Sequence, residues 1–264
     1  MIPKVIHYCW FGRGEKPEIV KICMESWKKN CPDFKIIEWN EDNFKVDSCK
    51  YAAEAYANKK WAFVSDYARI KILEEHGGIY IDTDVEIIKP LNSLLDYKGF
   101  AGFEKELDGS FGVNTGSMMG AEKHNEFLRQ QLKKYEEYCF VESDRLNLTT
   151  CVEYTTKLLL DYGLKLNNET QEVLNLTILP SDYFSPRNMK TGLVEETNNT
   201  VSIHRYAGSW ADPVEQYGYT LKWKMIKKYG IKVGRVVYLL KYTKYIVQKR
   251  GIRGLTIKIK GKLQ

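Results

Sequence analysis

The chain has 264 residues, 44% of them hydrophobic and 13% aromatic, a composition that excludes disordered and fibrous classes and is enough for one large domain or two small ones. The net charge of +6 hides an asymmetry: residues 213–264 hold 14 Lys and Arg against one acid, Glu215, while the first 212 residues hold 26 bases and 33 acids. A basic tail on an acidic body implies an anionic surface as partner.

No run approaches the about 18 consecutive apolar residues of a membrane-spanning helix. The N-terminus lacks the long apolar stretch of a secretory signal and reads instead as the first strand of the fold. The six cysteines show neither Cys-x-x-Cys pairing nor zinc spacing, so reduced thiols in a cytosolic protein are expected.

In chain order, Lys4 to Phe11 is an apolar strand running into Gly12-Arg13-Gly14. Pro17 to Lys29 has helical spacing, with Ile19, Ile22, Cys23, Ser26 and Trp27 assigned to one face, Pro17 at its start and Pro32 beyond its end. Phe34 to Trp39 is a second strand, so the opening strand–helix–strand unit predicts a parallel pair with a right-handed crossover. Tyr51 to Asn58 and Trp61 to His76 are helices, the second stopped by Gly77.

Gly77-Gly78-Ile79-Tyr80-Ile81-Asp82-Thr83-Asp84-Val85 then reads as one buried strand. Side chains at i and i+2 of a strand share a face, so Asp82 and Asp84 converge. Two close carboxylates repel, and burial makes their ionisation costlier. A divalent cation relieves both effects, and hard oxygen ligands favour Mg²⁺ or Mn²⁺. An Asp-x-Asp triplet alone is common at solvated loop ends, and here its setting carries the assignment.

Further strands are predicted over Phe100 to Phe103, Val113 to Ala121, Leu174 to Leu179 and Val201 to His204. Helices are predicted over Asn125 to Cys139 and Thr150 to Tyr162. The alternation through about residue 120 gives an α/β sheet with sites at strand C-terminal edges. After Tyr217 the chain reads as basic helical segments broken by Gly230, Gly234, Gly251 and Gly254, around the apolar run Val236 to Leu240. That pattern fits an interfacial amphipathic element.

Four groups of residues are candidates for chemistry. Asp66 and Arg69 lie three apart on the helix that leads into the carboxylates, either as a surface ion pair or as contacts to sugar hydroxyls and phosphate. Tyr8 and Trp10 close the first strand beside a glycine loop, where Trp10 is either a core aromatic or a stacking face. His204, followed by Tyr206-Ala207-Gly208-Ser209-Trp210, is able to supply a third metal ligand as neutral imidazole. Asn114-Thr115-Gly116-Ser117 is either an ordinary turn or the lining of a sugar or acceptor site.

Three segments in order resemble glycosyltransferase family 32: Ile2 to Gly12, Ala62 to Arg69 and Gly77 to Asp84. Leu179 to Phe184 and His204 to Trp210 extend the likeness. This family of DXD-containing sugar transferases includes capsular and lipooligosaccharide transferases and yeast Golgi mannosyltransferases, and the catalytic domains of large clostridial glucosylating toxins are similar in motif order. The resemblance implies a GT-A fold over residues 1–212, a Rossmann-like mixed sheet flanked by helices, with residues 213–264 as a basic extension outside it.

The resemblance also implies a nucleotide-sugar donor and Mn²⁺ or Mg²⁺. Trp10 would stack on the base, Asp66 and Arg69 would hold the transferred sugar, Asp82 would contact ribose and sugar, and Asp84 would bind the metal, with His204 as a further ligand. Tyr8, Asn114, Ser209 and Trp210 complete the donor side. The expected activity is metal-dependent retaining transfer of a hexose, from UDP-glucose or UDP-galactose in preference to GDP-mannose, to a surface glycan carried on lipid.

The tail adds an anionic membrane surface as partner and a peripheral position on the inner face of the cell membrane. Two alternatives stay open, an effector that glycosylates protein side chains and a non-catalytic nucleotide-sugar-binding module. Nucleic acid is not an expected partner, because no recognised binding motif accompanies the basic residues.

Overall fold

The computed structural model describes residues 1–143, 145–208 and 212–251. Its contacts divide the chain into two compact units, Met1–Pro186 with Glu195–Tyr206, and Arg187–Val194 with the described part of Ala207–Gln264.

The first unit opens with β1 (Val5–Cys9), α1 (Glu18–Asn30) and β2 (Lys35–Trp39), and β1 and β2 pair in parallel as expected. The inward stripe of α1 is Val20, Cys23 and Trp27, whereas Ile22 is half-exposed. Helices α2 (Lys50–Ala57) and α3 (Trp61–His76) follow. The latter is buried on most of its circumference, from Phe63 to Leu73, and Gly77 ends it with φ 64°. That enclosure is what buries Asp66 and Arg69.

The carboxylate segment departs from the sequence expectation. One continuous strand is replaced by β3 (Gly78–Tyr80), a turn, and β4 (Val85–Ile87). The Asp82 amide donates to the Gly116 carbonyl at 3.0 Å, and the Val85 amide donates back to the Asp82 carbonyl at 3.1 Å. These bonds close a tight turn, so Asp82 and Asp84 sit on a bend between two strands rather than along the face of one.

Next come β5 (Gly99–Lys105), β6 (Phe111–Asn114) and β7 (Met119–Ala121), and the segment expected as one strand to Ala121 is two, separated by the turn Thr115–Met118. Helix α4 (Glu126–Glu137), the short pair β8 (Val141–Glu142) and β9 (Arg145–Leu146), and α5 (Cys151–Asp161) lead to β10 (Gln171–Val173), β11 (Leu176–Leu179) and β12 (Ser202–His204). Helix α5 starts on a capping box in which Thr150 and Glu153 satisfy each other's amides.

The main sheet runs β10-β11-β5-β7-β3-β1-β2, with β6 also on β5. It is mixed: β2, β1 and β3 are parallel, β7 is antiparallel to both β3 and β5, and β5 is parallel to β11. Apolar layers cover both faces. Alternation on β1 sends Cys9 to the layer of α2, α3, α4 and α5, and Ile6 and Tyr8 to the layer of α1. The architecture is thus the α/β mixed sheet with flanking helices expected from the sequence. Strand β4 leaves this sheet and pairs antiparallel with β12, which sets His204 opposite Val85.

The second unit contains α6 (Pro213–Arg250), two helical segments meeting at Gly230, where φ is 74°. Its own core is Val214, Leu221, Met225, Tyr242 and Ile246. The second segment folds back on the first: the Tyr242 hydroxyl donates to the Val214 carbonyl at 3.1 Å, and the Tyr217 and Tyr245 rings lie 4.0 Å apart. Gly234, expected as a break, lies within the helix. A Cβ there would sit 2.6 Å from the Ile226 Cα, so glycine permits close approach of the two segments. Gly254 lies outside the described residues. Arg187–Val194 also belongs to this unit, where Arg187 stacks over Trp223 at 5.2 Å, although the sequence placed it in the first domain.

Candidate active site

The site is assembled from four places in the first unit: α3, the Asp82–Val85 turn, the Asn114–Ser117 turn and β12. On α3 the Asp66 and Arg69 side chains meet, with Arg69 Nη1 2.8 Å from Asp66 Oδ1. The same guanidinium reaches Asp82 Oδ1 through Nη2 at 3.0 Å. The Tyr80 hydroxyl donates to that oxygen, also at 3.0 Å, and the Tyr80 ring lies under Arg69 at 4.9 Å.

This is a buried fork, with Asp66 and Arg69 only 7% and 2% exposed, and the surface ion pair is thereby excluded. Burial would lower the Arg69 pKa, but Asp82 and Asp66 together raise it well above its usual value. Burial lifts the Asp66 pKa to about 6 against the pull of Arg69. Asp82 is raised for the same first reason, with Asp84 adding to the rise.

The second carboxylate of the motif looks the other way. Pairing of β4 with β12, tied further by the Arg205 amide donating to the Asp84 carbonyl at 2.9 Å, brings His204 Nε2 to 3.4 Å from Asp84 Oδ1. Among the described residues, Asp82, Asp84 and His204 form a group whose candidate ligand atoms all lie within 4.8 Å of one another. Two carboxylate oxygens and an imidazole nitrogen suit Mn²⁺ or Mg²⁺, so the residues present fit the expected metal. Burial would lower the His204 pKa, but Asp84 and Glu104 outweigh it and lift the value to about 10.

Asn114 is an organiser of this region. Its Oδ1 accepts from the Gly116 and Ser117 amides at 2.7 and 3.0 Å, which fixes the turn whose Gly116 carbonyl holds Asp82. A Cβ on Gly116 would sit 2.3 Å from Asp82 Oδ2. The Asn114–Ser117 segment is therefore a turn that also walls the carboxylates.

The aromatic end of β1 is arranged differently. Tyr8 alternates onto the α1 side, is 4% exposed, and donates its hydroxyl to Glu38 Oε2 at 2.5 Å, so it does not join the carboxylates. Its neighbour Cys9 lies on the Arg69 and Tyr80 side, its thiol pushed up to about 12 by burial. Trp10 donates Nε1–H to the Gly14 carbonyl at 2.7 Å, beneath Lys16 at 5.3 Å, and Lys16 pairs with Glu38 at 2.9 Å. Ser209 and Trp210 lie outside the described residues.

Sequence reading missed three residues. Tyr80 and Tyr206 stand inside the motifs that were read. Glu104 follows the apolar run Gly99 to Phe103 and is itself followed by Lys105, Glu106 and Asp108, so the local sequence reads as the charged end of a strand. Glu104 Oε2 accepts from Asn114 Nδ2 at 2.7 Å and from the Tyr206 hydroxyl at 2.8 Å, and lies 3.7 Å from His204 Nδ1.

Residues 17–101 match the family described as "Glycosyltransferase sugar-binding region containing DXD motif". It is 28% identical over 151 residues to mannosyl phosphorylinositol ceramide synthase SUR1 of Saccharomyces cerevisiae, covering 53% of this chain and 37% of the yeast protein. Inositol phosphoceramide mannosyltransferase 3 of Schizosaccharomyces pombe is 26% identical over 152 residues, covering 53% of this chain and 38% of that protein. The chain thus spans less than two-fifths of the length of these two relatives. An uncharacterized glycosyltransferase of Acanthamoeba polyphaga mimivirus is 29% identical over 206 residues, covering 72% of this chain and 75% of the viral protein. Among solved structures, PaToxG glycosyltransferase aligns with a TM-score of 0.46 at 21% identity, over 61% of this chain and 69% of that one.

Proposed function

We propose that this chain is a metal-dependent retaining glycosyltransferase that moves a hexose from a nucleotide sugar to a lipid-linked glycan or glycolipid acceptor. The observation that carries the reading is the grouping of Asp82, Asp84 and His204 within 4.8 Å, beside the Asp66–Arg69–Asp82 fork. A bound divalent cation supplies Lewis-acid neutralisation of the diphosphate leaving group. Arg69, locked by its two carboxylates, presents a fixed positive charge at the edge of the donor site, where no reorganisation is needed as charge develops. Asp66 accepts from the hydroxyls of the transferred sugar, Asp82 orients the sugar and ribose, and Trp10 stacks on the base. Retention follows the family resemblance.

The two yeast relatives carry mannose and a phosphoinositol ceramide in their names. GDP-mannose therefore stands beside UDP-glucose and UDP-galactose as a donor, and a lipid-borne acceptor gains support. The second unit supplies a reason for lipid contact: Val233, Val236, Leu239 and Leu240 are all more than half exposed on a strongly basic helix. A peripheral position on the cytoplasmic face of the membrane follows.

The test is a panel of the three nucleotide sugars with Mn²⁺, scoring slow hydrolysis and then transfer to a lipid-linked acceptor. One donor is expected to turn over only with metal, and Asp84→Ala is expected to reduce the rate about 100-fold or more. Unchanged turnover and unchanged Mn²⁺ dependence in Asp84→Ala would overturn the assignment.

A further inference from the structure

Glu104 is 8% exposed, following five buried apolar residues on a strand that ends at exposed Lys105. A carboxylate in such a place is costly unless its partners are built around it. Three are: the amide of Asn114, the hydroxyl of Tyr206 and the Nδ1 edge of His204, all converging on Oε2. The Tyr206 ring also stacks on the His204 imidazole, with centroids 4.0 Å apart and planes 27° apart. Tyr206 therefore fixes the plane of the imidazole, and the Glu104 carboxylate stands behind its Nδ1 edge at 3.7 Å, an ion-pair rather than a hydrogen-bond distance. The opposite edge, Nε2, is left on the side of Asp84.

We propose that Glu104 is a positioning residue for metal binding, acting through His204. A carboxylate behind an imidazole holds the proton on Nδ1, keeps the Nε2 lone pair directed at the cation and makes it a stronger donor. Glu104 itself does not touch the cation or the substrate. The inference rests on the reading of Asp84 and His204 as metal ligands, and its test separates the two.

The experiment measures binding of Mn²⁺ alone to the full chain, by the electron paramagnetic resonance signal of the free ion, in wild type, Asp84→Ala, His204→Ala, Glu104→Gln and the double variant Glu104→Gln/His204→Ala. Asp84→Ala and His204→Ala are expected to weaken binding about 10- to 100-fold, and Glu104→Gln about tenfold. In the His204→Ala background the same Glu104→Gln change is expected to cost less than about twofold, because its effect has lost its intermediary. A residue that merely supports the fold would lower the thermal midpoint and leave the affinity of the folded protein unchanged.

Should Glu104→Gln fold poorly, Tyr206→Phe removes one of the donors that pin the carboxylate and is expected to weaken Mn²⁺ binding about threefold. Wild-type affinity in Glu104→Gln overturns the proposal, as does a full tenfold loss that persists without His204, which would route the effect through Asn114 and Asp82 instead. Wild-type affinity in Asp84→Ala would overturn the metal reading itself, so the two failures are told apart.

Discussion

Arg69 is itself buried and is shared by two carboxylates, buried Asp66 and partly exposed Asp82, and the consequences differ from those of a surface pair. Removing one partner of a buried pair strands the other as an uncompensated charge, at a cost of about 3–5 kcal/mol. Arg69→Met is therefore expected to lower stability by that amount in urea unfolding, with activity lost as well. A change within about 1 kcal/mol, the range of an exposed pair, would show that the fork is solvated.

His7 carries a separate prediction for pH. It is 1% exposed, and its Nδ1 accepts from Trp39 Nε1 at 3.0 Å, so its Nε2–H donates to the Gly77 carbonyl at 3.0 Å and the ring is neutral. Burial depresses its pKa to about 4. Between about pH 6.5 and 4 the unfolded chain binds a proton that the folded chain refuses, so stability falls as pH falls through that window, by about 3 kcal/mol in all. His7→Phe starts less stable but is expected to lose that acid slope, and a variant that kept the full wild-type slope from pH 7 to 4 would refute the assignment. At this scale residue type and order singled out Asp66, Arg69 and Asp84, and the structure brings them together around Asp82. Glu104 was not singled out, since nothing local says that its partners Asn114, His204 and Tyr206 will converge on it from 10, 100 and 102 residues away.

Among the elements, the carboxylate turn is the one whose shape mattered and whose shape the residues concealed. Ile79, Ile81, Val85 and Ile87 keep a period of two, which a continuous strand and two strands joined by a turn satisfy equally. What divides them is a choice of partners: β3 stays in the main sheet beside β1 and β7, while β4 takes β12. Those partners are distant in sequence, so no local pattern records them. By contrast α3 ended where Gly77 predicted, because a helix stop is a local property.

The turn at Gly116 offers a direct test of how tightly the carboxylates are walled. Asp82 Oδ1 is held by Arg69 and Tyr80, so a new Cβ at residue 116 displaces Oδ2, the oxygen left for a cation. Gly116→Ala is expected to weaken Mn²⁺ binding several-fold while costing about 1–3 kcal/mol of stability, the usual range for overpacking. Isothermal titration with Mn²⁺ alongside urea unfolding reads both. Unaltered affinity would mean that Asp82 Oδ2 is not a ligand, leaving Asp84 and His204 to carry the site.

Across the whole molecule the charge is divided as the fold is divided: the acidic residues lie chiefly in the unit that holds the carboxylate site, and the helical pair is basic. Composition alone made that division visible, but it did not show which apolar residues the helical pair would spend on its own core. Tyr242 and Ile246 are buried there, while Val236 and Leu240 remain 58% and 70% exposed. On the second segment Val233, Val236 and Leu240 are spaced by three and four, one stripe, with Lys232 and Lys244 to either side of it. Water penalises such a stripe, and an anionic bilayer surface accommodates both it and its flanks, each Lys or Arg near the surface contributing about 1 kcal/mol.

The full chain is therefore expected to float with anionic vesicles, to release at high salt as the charges are screened, and to ignore zwitterionic vesicles. The double variant Val236→Asp/Leu240→Asp is expected to reduce recovery with anionic vesicles at least about tenfold while keeping its helical circular dichroism, because both side chains already face solvent. Equal recovery on the two lipids, or flotation unaffected by the double variant, would assign the basic stripe to some partner other than a membrane.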